Sequence, residues 1–217
     1  MNSTLRKVGA FAVLASCTLT STGVSYRPHS PVLLRRMSPL SNCPAYSGGT
    51  GILVDGDFSQ APDPGDHWPN FTKGQSFAPD WVVAKRNIDF AGSTAWGYNA
   101  GFCSVDLDGW KAGAIEYGGI STKRGATYTV TWEFSGNDFS CSNGSPVVKQ
   151  MRVKAGKASQ SFAWDTSSGN TVQNGDWAVE TWNFQASGRL TVLSFLSEDP
   201  RTSNCGPVVG PVFVTQS

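Results

Sequence analysis

Apolar and polar residues alternate most regularly over residues 103–137, and this stretch sets the class of the chain. Tyr128, Val130, Trp132 and Phe134 fall on one side of an extended backbone and Thr127, Thr129, Thr131 and Glu133 on the other, the period-two pattern of a strand with one buried face. Residues 114–121 form a second strand set off by Gly113, and residues 104–107 a third that ends at an Asp108-Gly109 turn. The same reading predicts strands at 52–54, 81–90, 147–154, 159–166, 177–186, 189–197 and 208–215, with no helical periodicity. Trp182 and Phe184 in one segment and Leu193 and Phe195 in the next flank the tight Ser187-Gly188 turn, so the two are expected to pair as a hairpin with its aromatics in the core. Many short strands joined by Gly-rich turns predict an all-β, antiparallel jelly-roll β-sandwich.

Composition narrows the function classes. Charged residues make up 15% of the 217 and the net charge is +1, which gives no bias toward nucleic acid or strongly charged ligands. Arg6 and Lys7 precede the apolar run 8–15, too short to span a bilayer and shaped like a secretory signal, so residues 1–17 are read as an export signal and the protein as secreted or held at the cell envelope. Leu14-Ala15-Ser16-Cys17 also resembles a bacterial lipobox, which makes Cys17 a lipidation candidate; the alternative is cleavage further on, near residues 23–25. Residues 18–47, rich in Pro, Ser and Arg and without a sustained period, read as a flexible tether with a coil dimension of ~30 Å. Residues 48–217 are then one domain, able to bury about 70% of its unfolded surface, with no sorting tail expected after its last strand.

The segment SVDLDGWKAGAIEYGGISTKRGATYTVTWEFSGN resembles the centre of the choice-of-anchor C family, relatives of plant cell-wall proteins of unknown function with a galactose-binding-like β-sandwich. Leu53-Val54-Asp55-Gly56-Asp57-Phe58 is similar to the family's opening strand, residues 81–89 to the next, and Cys205-Gly206-Pro207-Val208-Val209 to the closing strand of the plant relatives. Where those relatives carry an Asp before the last strand, this chain has Gly210-Pro211. The resemblance implies a galactose-binding-like fold and a non-catalytic module for cell-wall or extracellular polysaccharide.

If strands alternate in direction from residue 81 onward, loops 59–80, 108–113, 136–146, 167–176 and 198–206 gather at one end, and loop 91–102 lies at the other. The crowded end is the default binding site. It carries Trp68 and Trp110 as stacking platforms for a sugar ring, with Asp108, Asn174 and Asp176 foremost among the polar candidates for its hydroxyls, beside Asn143 and Asn170. Trp68 and Trp110 have the competing role of capping the sandwich, while Trp96 and Tyr98 are expected as a second aromatic patch at the opposite end. With Cys17 set aside, Cys43, Cys103, Cys141 and Cys205 allow three pairings. Parity and the similarly placed cysteines of the plant relatives favour Cys141 with Cys205, leaving Cys43 with Cys103.

Catalytic signatures are weak. His29 and His67 are the only histidines, no Cys-x-x-Cys spacing marks a zinc site, and no Gly-x-Ser-x-Gly elbow occurs. A glycosidase needs two facing carboxylates, for which Asp106 and Glu116 on neighbouring strands are the candidates. Asp55, Asp57 and Asp106 are candidate oxygen ligands for an unassigned structural calcium; no other cofactor is expected. Asn70-Phe71-Thr72 and Asn143-Gly144-Ser145 are glycosylation sequons in a eukaryotic setting. The rival to glycan binding is an adhesion protein with a protein partner; an enzyme ranks last.

Overall fold

The computed structural model describes residues 41–217 apart from Tyr98 and Asn143. The expected export signal, the lipidation candidate Cys17 and residues 18–40 of the expected tether lie outside the described residues, as do Tyr98 and Asn143. Among the described residues twelve strands follow one another: β1 (Asn70–Thr72), β2 (Ser76–Ala78), β3 (Trp81–Lys85), β4 (Asn87–Ala91), β5 (Ser104–Asp106), β6 (Ala114–Ser121), β7 (Thr127–Gly136), β8 (Val148–Ala155), β9 (Ala158–Asp165), β10 (Ala178–Gln185), β11 (Leu190–Ser197) and β12 (Pro207–Gln216). They form two six-stranded antiparallel sheets, β2-β3-β6-β11-β8-β9 (sheet I) and β1-β4-β5-β12-β7-β10 (sheet II). The fold is the expected all-β, antiparallel sandwich.

The chain changes sheet repeatedly. The segment expected as one strand over 81–90 is two, because Arg86 adopts a left-handed backbone (φ 49°) that turns the chain from β3 in sheet I to β4 in sheet II. Likewise β10 pairs with β7 and β11 with β6 and β8, so Ser187-Gly188 is a corner between sheets and the expected hairpin is absent. Its aromatics are nevertheless buried, since each sheet turns one face inward. Two-residue hairpins occur at β8–β9, turned at Gly156 with φ 60°, and at β2–β3. Residues 52–54 are not a strand: Ile52 donates one backbone bond to Val214 (2.8 Å) before Asp55 and Asp57 turn the chain by accepting from Gln60 and Ser59. Strands β1 and β2, three residues each, are too short for alternation to reveal.

The core lies between the sheets. Trp81 and Trp132 are its largest fully buried side chains, and Trp132 sits edge-on to Phe162 (4.8 Å) and Phe195 (5.6 Å) from the opposite sheet. Gly210-Pro211 falls where the β12–β7 register shifts between Val209 and Val212, a bulge that lets an interior strand carry a proline. Two disulfides, Cys43–Cys103 and Cys141–Cys205, are the expected pairs, the second from parity and resemblance and the first as the cysteines left over. The first corrects the domain boundary: Cys43 is buried, Asn42 bridges to Pro62 and Tyr46 packs on Phe102 and Phe213, so residues 42–46 belong to the sandwich rather than to a tether ending at 47.

Candidate functional site

Cross-strand register in sheet II puts polar residues in a row on its outer face. Asn70 of β1 pairs with Asp89 of β4, which pairs with Asp106 of β5, while the neighbouring Phe71, Ile88, Phe90 and Val105 turn to the core. This row floors a cavity of about 530 Å³ whose walls carry Trp68, Trp96, Trp110 and Phe139. No local pattern announces it, because its members come from three strands, of which sequence reading finds β5, misses β1 and joins β4 to β3.

Three loops hold the indoles of the walls. Trp110 stands on a tight turn closed by an Asp108–Ala112 bridge, and the backbone amides of Trp110 and Lys111 both donate to Asn87 Oδ1 at 3.0 Å. Gly109 is required beside it, since a Cβ there would come within 2.4 Å of Asn70 Nδ2. Trp68 is carried by a segment bonded to β4 on both sides, through Phe90 to Pro69 (3.0 Å) and Gly92 to His67 (3.0 Å). Loop 92–97 is tied to it by Asp63, which accepts from the Ser93 amide and hydroxyl and from the Gly65 amide. Burial pushes the Asp63 carboxyl up, but those bonds hold it below the usual range. Trp96 is fixed by its Nε1 donating to Ser104 Oγ (2.9 Å), lies parallel to Trp68 with ring centroids 6.3 Å apart, and joins Ala91, Val172 and Val208 in a small second apolar cluster. The expectation that Trp96 lies at the opposite end from Trp68 is therefore corrected. The turn at Arg86 adds a strand to the count, and loop 92–103 folds back over the outer face.

Trp68 and Trp110 are thus brought together; the other candidates are not. Asp108 is fully buried, so close under Gly206 that a Cβ on that glycine would meet its Cγ at 2.5 Å. Asn174 and Asp176 serve their own loop, donating to Gly169 O (2.6 Å) and accepting from Thr171 N (3.3 Å), and neither lines the cavity. Asn70, the first residue of a sequon, has its amide nitrogen occupied by Ile88 O and Asp89 Oδ1. Glu116 lies in sheet I and Asp106 in sheet II, so those carboxylates do not face each other across adjacent strands. Asp55 and Asp57 hold backbone amides of residues 46, 59 and 60, away from Asp106. Among the described residues the trio within metal-ligand distance is Cys43, Asp63 and Cys103, two of which form a disulfide.

The electrostatics divide the floor. Asp106 is 1% exposed and accepts from Asn137 Nδ2, Asp108 N and Gly206 N at 2.7–3.0 Å; burial, reinforced by the Asp108 charge, pushes it well above the usual carboxylate range. Asp89 is half-buried and raised by burial, with the Asn70 hydrogen bond opposing. Behind them lies a buried group made of Asp108, Asp199 and Lys149, whose Nζ donates to Cys205 O (2.9 Å).

Burial and then the Asp108 charge push Asp199 up to about 7. A carboxyl raised above its unfolded value of about 4 keeps its proton longer in the fold, so in this window the folded protein holds more protons than the unfolded chain and stability falls as pH rises. The melting temperature is expected to drop between pH 5 and 7.5. Asp199→Asn, which retains an acceptor for the Gln150 amide (2.7 Å), should flatten that slope; a parent curve rising across the window contradicts the assignment.

Solved structures similar to this chain include a CBM4 structure (TM-score 0.44, 14% identity, covering 77% of this chain and 100% of that one). A family 35 carbohydrate binding module from Clostridium thermocellum (0.41, 17%, 69% and 99%) and TmCBM61 in complex with β-1,4-galactotriose (0.42, 12%, 78% and 100%) are similar in the same way. No curated protein matches the chain significantly. Residues 51–215 match the family described as "Protein of unknown function (DUF642)", and on that match the chain belongs to the DUF642 family.

Proposed function

We propose that the protein is an exported, non-catalytic module that binds cell-wall or other extracellular polysaccharide across the outer face of sheet II. One observation carries the reading: Trp68 and Trp110 stay 43% and 69% exposed at the walls of a cavity floored by polar groups. Indoles recruited to cap a core are hidden by it, whereas these offer flat faces to the C–H side of a sugar ring, with Asp89, held by Asn70, placed for its hydroxyls. Two disulfides fit an oxidising compartment. Glycoside cleavage needs two available carboxyls; Asp106 has both oxygens engaged by donors, leaving Asp89 alone among the residues that line this cavity. Kinship with the choice-of-anchor C family, the signal in residues 1–17 and a lipid on Cys17 in a bacterial host belong to the same proposal. Cys17→Ser releasing the protein from the membrane fraction is the test of the anchor.

Affinity electrophoresis through gels containing different polysaccharides tests the binding. Trp110→Ala and Trp68→Ala are expected to lose tenfold or more in retention, about 1.4 kcal/mol, with little change in melting temperature. Variants that both bind like the parent overturn the site. Retention of extracellular proteins in place of any polysaccharide favours the adhesion reading, and release of reducing sugar favours an enzyme.

A further inference from the structure

The cavity under Trp110 does not stand alone. Trp68 also lines two adjoining cavities, of about 560 Å³ beside Pro64, Asp66 and His67 and about 270 Å³ beside Trp96, Phe139 and Gln173. Together they form a path that shares this one indole. Among the described residues lining all three there is no lysine or arginine, while Asp66, Asp89 and Asp106 all contribute. His67, the one basic side chain on the path, is paired with Asp66 at 3.0 Å.

The accessible anion on the floor is Asp89. Asn70 Nδ2 donates to its Oδ1 (2.8 Å), no described residue donates to its Oδ2, and it faces the cavity between the two indoles. A carboxylate so placed accepts hydrogen bonds from neutral sugar hydroxyls. It repels a second carboxylate a few ångströms away, and the half-buried setting weakens solvent screening of that repulsion. Recognition of a uronate calls for the opposite equipment, an Arg fork or a Lys on the path.

We propose that the site selects uncharged polysaccharide and discriminates against polyuronates, with Asp89 as the residue that sets the selectivity. This rests on the polysaccharide-binding reading and narrows its ligand class. Retention of the full protein is measured in gels of a neutral β-glucan or galactan and of polygalacturonate, at low and at high salt. The parent is expected to bind its best neutral polymer at least tenfold more tightly than polygalacturonate at low salt, with the gap narrowing as salt rises. Asp89→Asn, which keeps the acceptor for Asn70, should narrow the gap at low salt. Polygalacturonate retained as well as or better than every neutral polymer, with Trp110→Ala abolishing that retention, overturns the selectivity and leaves the binding site standing. A neutral preference untouched by both salt and Asp89→Asn overturns the role of the carboxylate. Retention of neither polymer class removes the binding reading and the selectivity with it.

Discussion

Replacing Trp132 with alanine is expected to cost about 3 to 5 kcal/mol, the range for removing a large aromatic from a packed core, and to lower the melting temperature by about 6 to 20 °C for a domain of this size. Trp132 is 1% exposed on the inner face of β7, and its ring is the point where sheet II meets Phe162 and Phe195 of sheet I. The collapse that would refill the space requires both sheets to move together, which puts the loss toward the upper part of the range. Trp132→Phe should cost clearly less: it keeps an aromatic at the contact and removes an indole N–H that is buried without a hydrogen-bond partner. Urea unfolding of the three proteins gives the order parent, Phe, Ala; equal midpoints for parent and Ala would place Trp132 outside the core.

Loss of the Cys43–Cys103 disulfide is expected to be comparably large. The bridge closes a sequence separation of 60 residues, for which chain entropy gives about 4 kcal/mol. It also does something local, because Cys103 directly precedes β5 and Cys43 anchors residues 42–46. Without the bridge the segment bearing Tyr46 loses its tie to the strand that carries Asp106. Cys43→Ala/Cys103→Ala, which avoids burying a hydroxyl, should melt about 8 to 16 °C lower than the parent and become sensitive to proteolysis ahead of Ala61. A double variant with unchanged melting would mean that the 42–46 segment is held by its packing alone.

The alternation in β7, β6 and β11 could be read directly because one-sided burial imposes period two on a strand, and this gave the class and most of the strands. The sheet to which each strand belongs could not. Nothing in Val82 to Phe90 marks Arg86 as left-handed, since the residue is neither Gly nor Asn and its conformation is set by the strands on either side. That single turn moved Trp96 from the far end of the molecule to the side of Trp68. The Asn70-Asp89-Asp106 row was hidden for a related reason: it exists only in the cross-strand register. Asp108 misled in the other direction. An Asp-Gly pair ordinarily marks an exposed turn, yet here loop 198–206 covers it and the side chain joins Asp199 and Lys149 in the interior. Asn174 and Asp176 illustrate the double use of short polar side chains, which close local turns as readily as they bind ligands.

Oxidative labelling of tryptophan with and without a saturating retained polysaccharide tests the outer face of sheet II as the binding surface more directly than any variant. Trp68 and Trp110 should be protected together, while Trp164, partly exposed and packed on Phe134 in the other half of the sandwich, should label equally in both conditions. Protection of Trp164, or unchanged labelling of both Trp68 and Trp110 while the protein stays bound, would contradict the account.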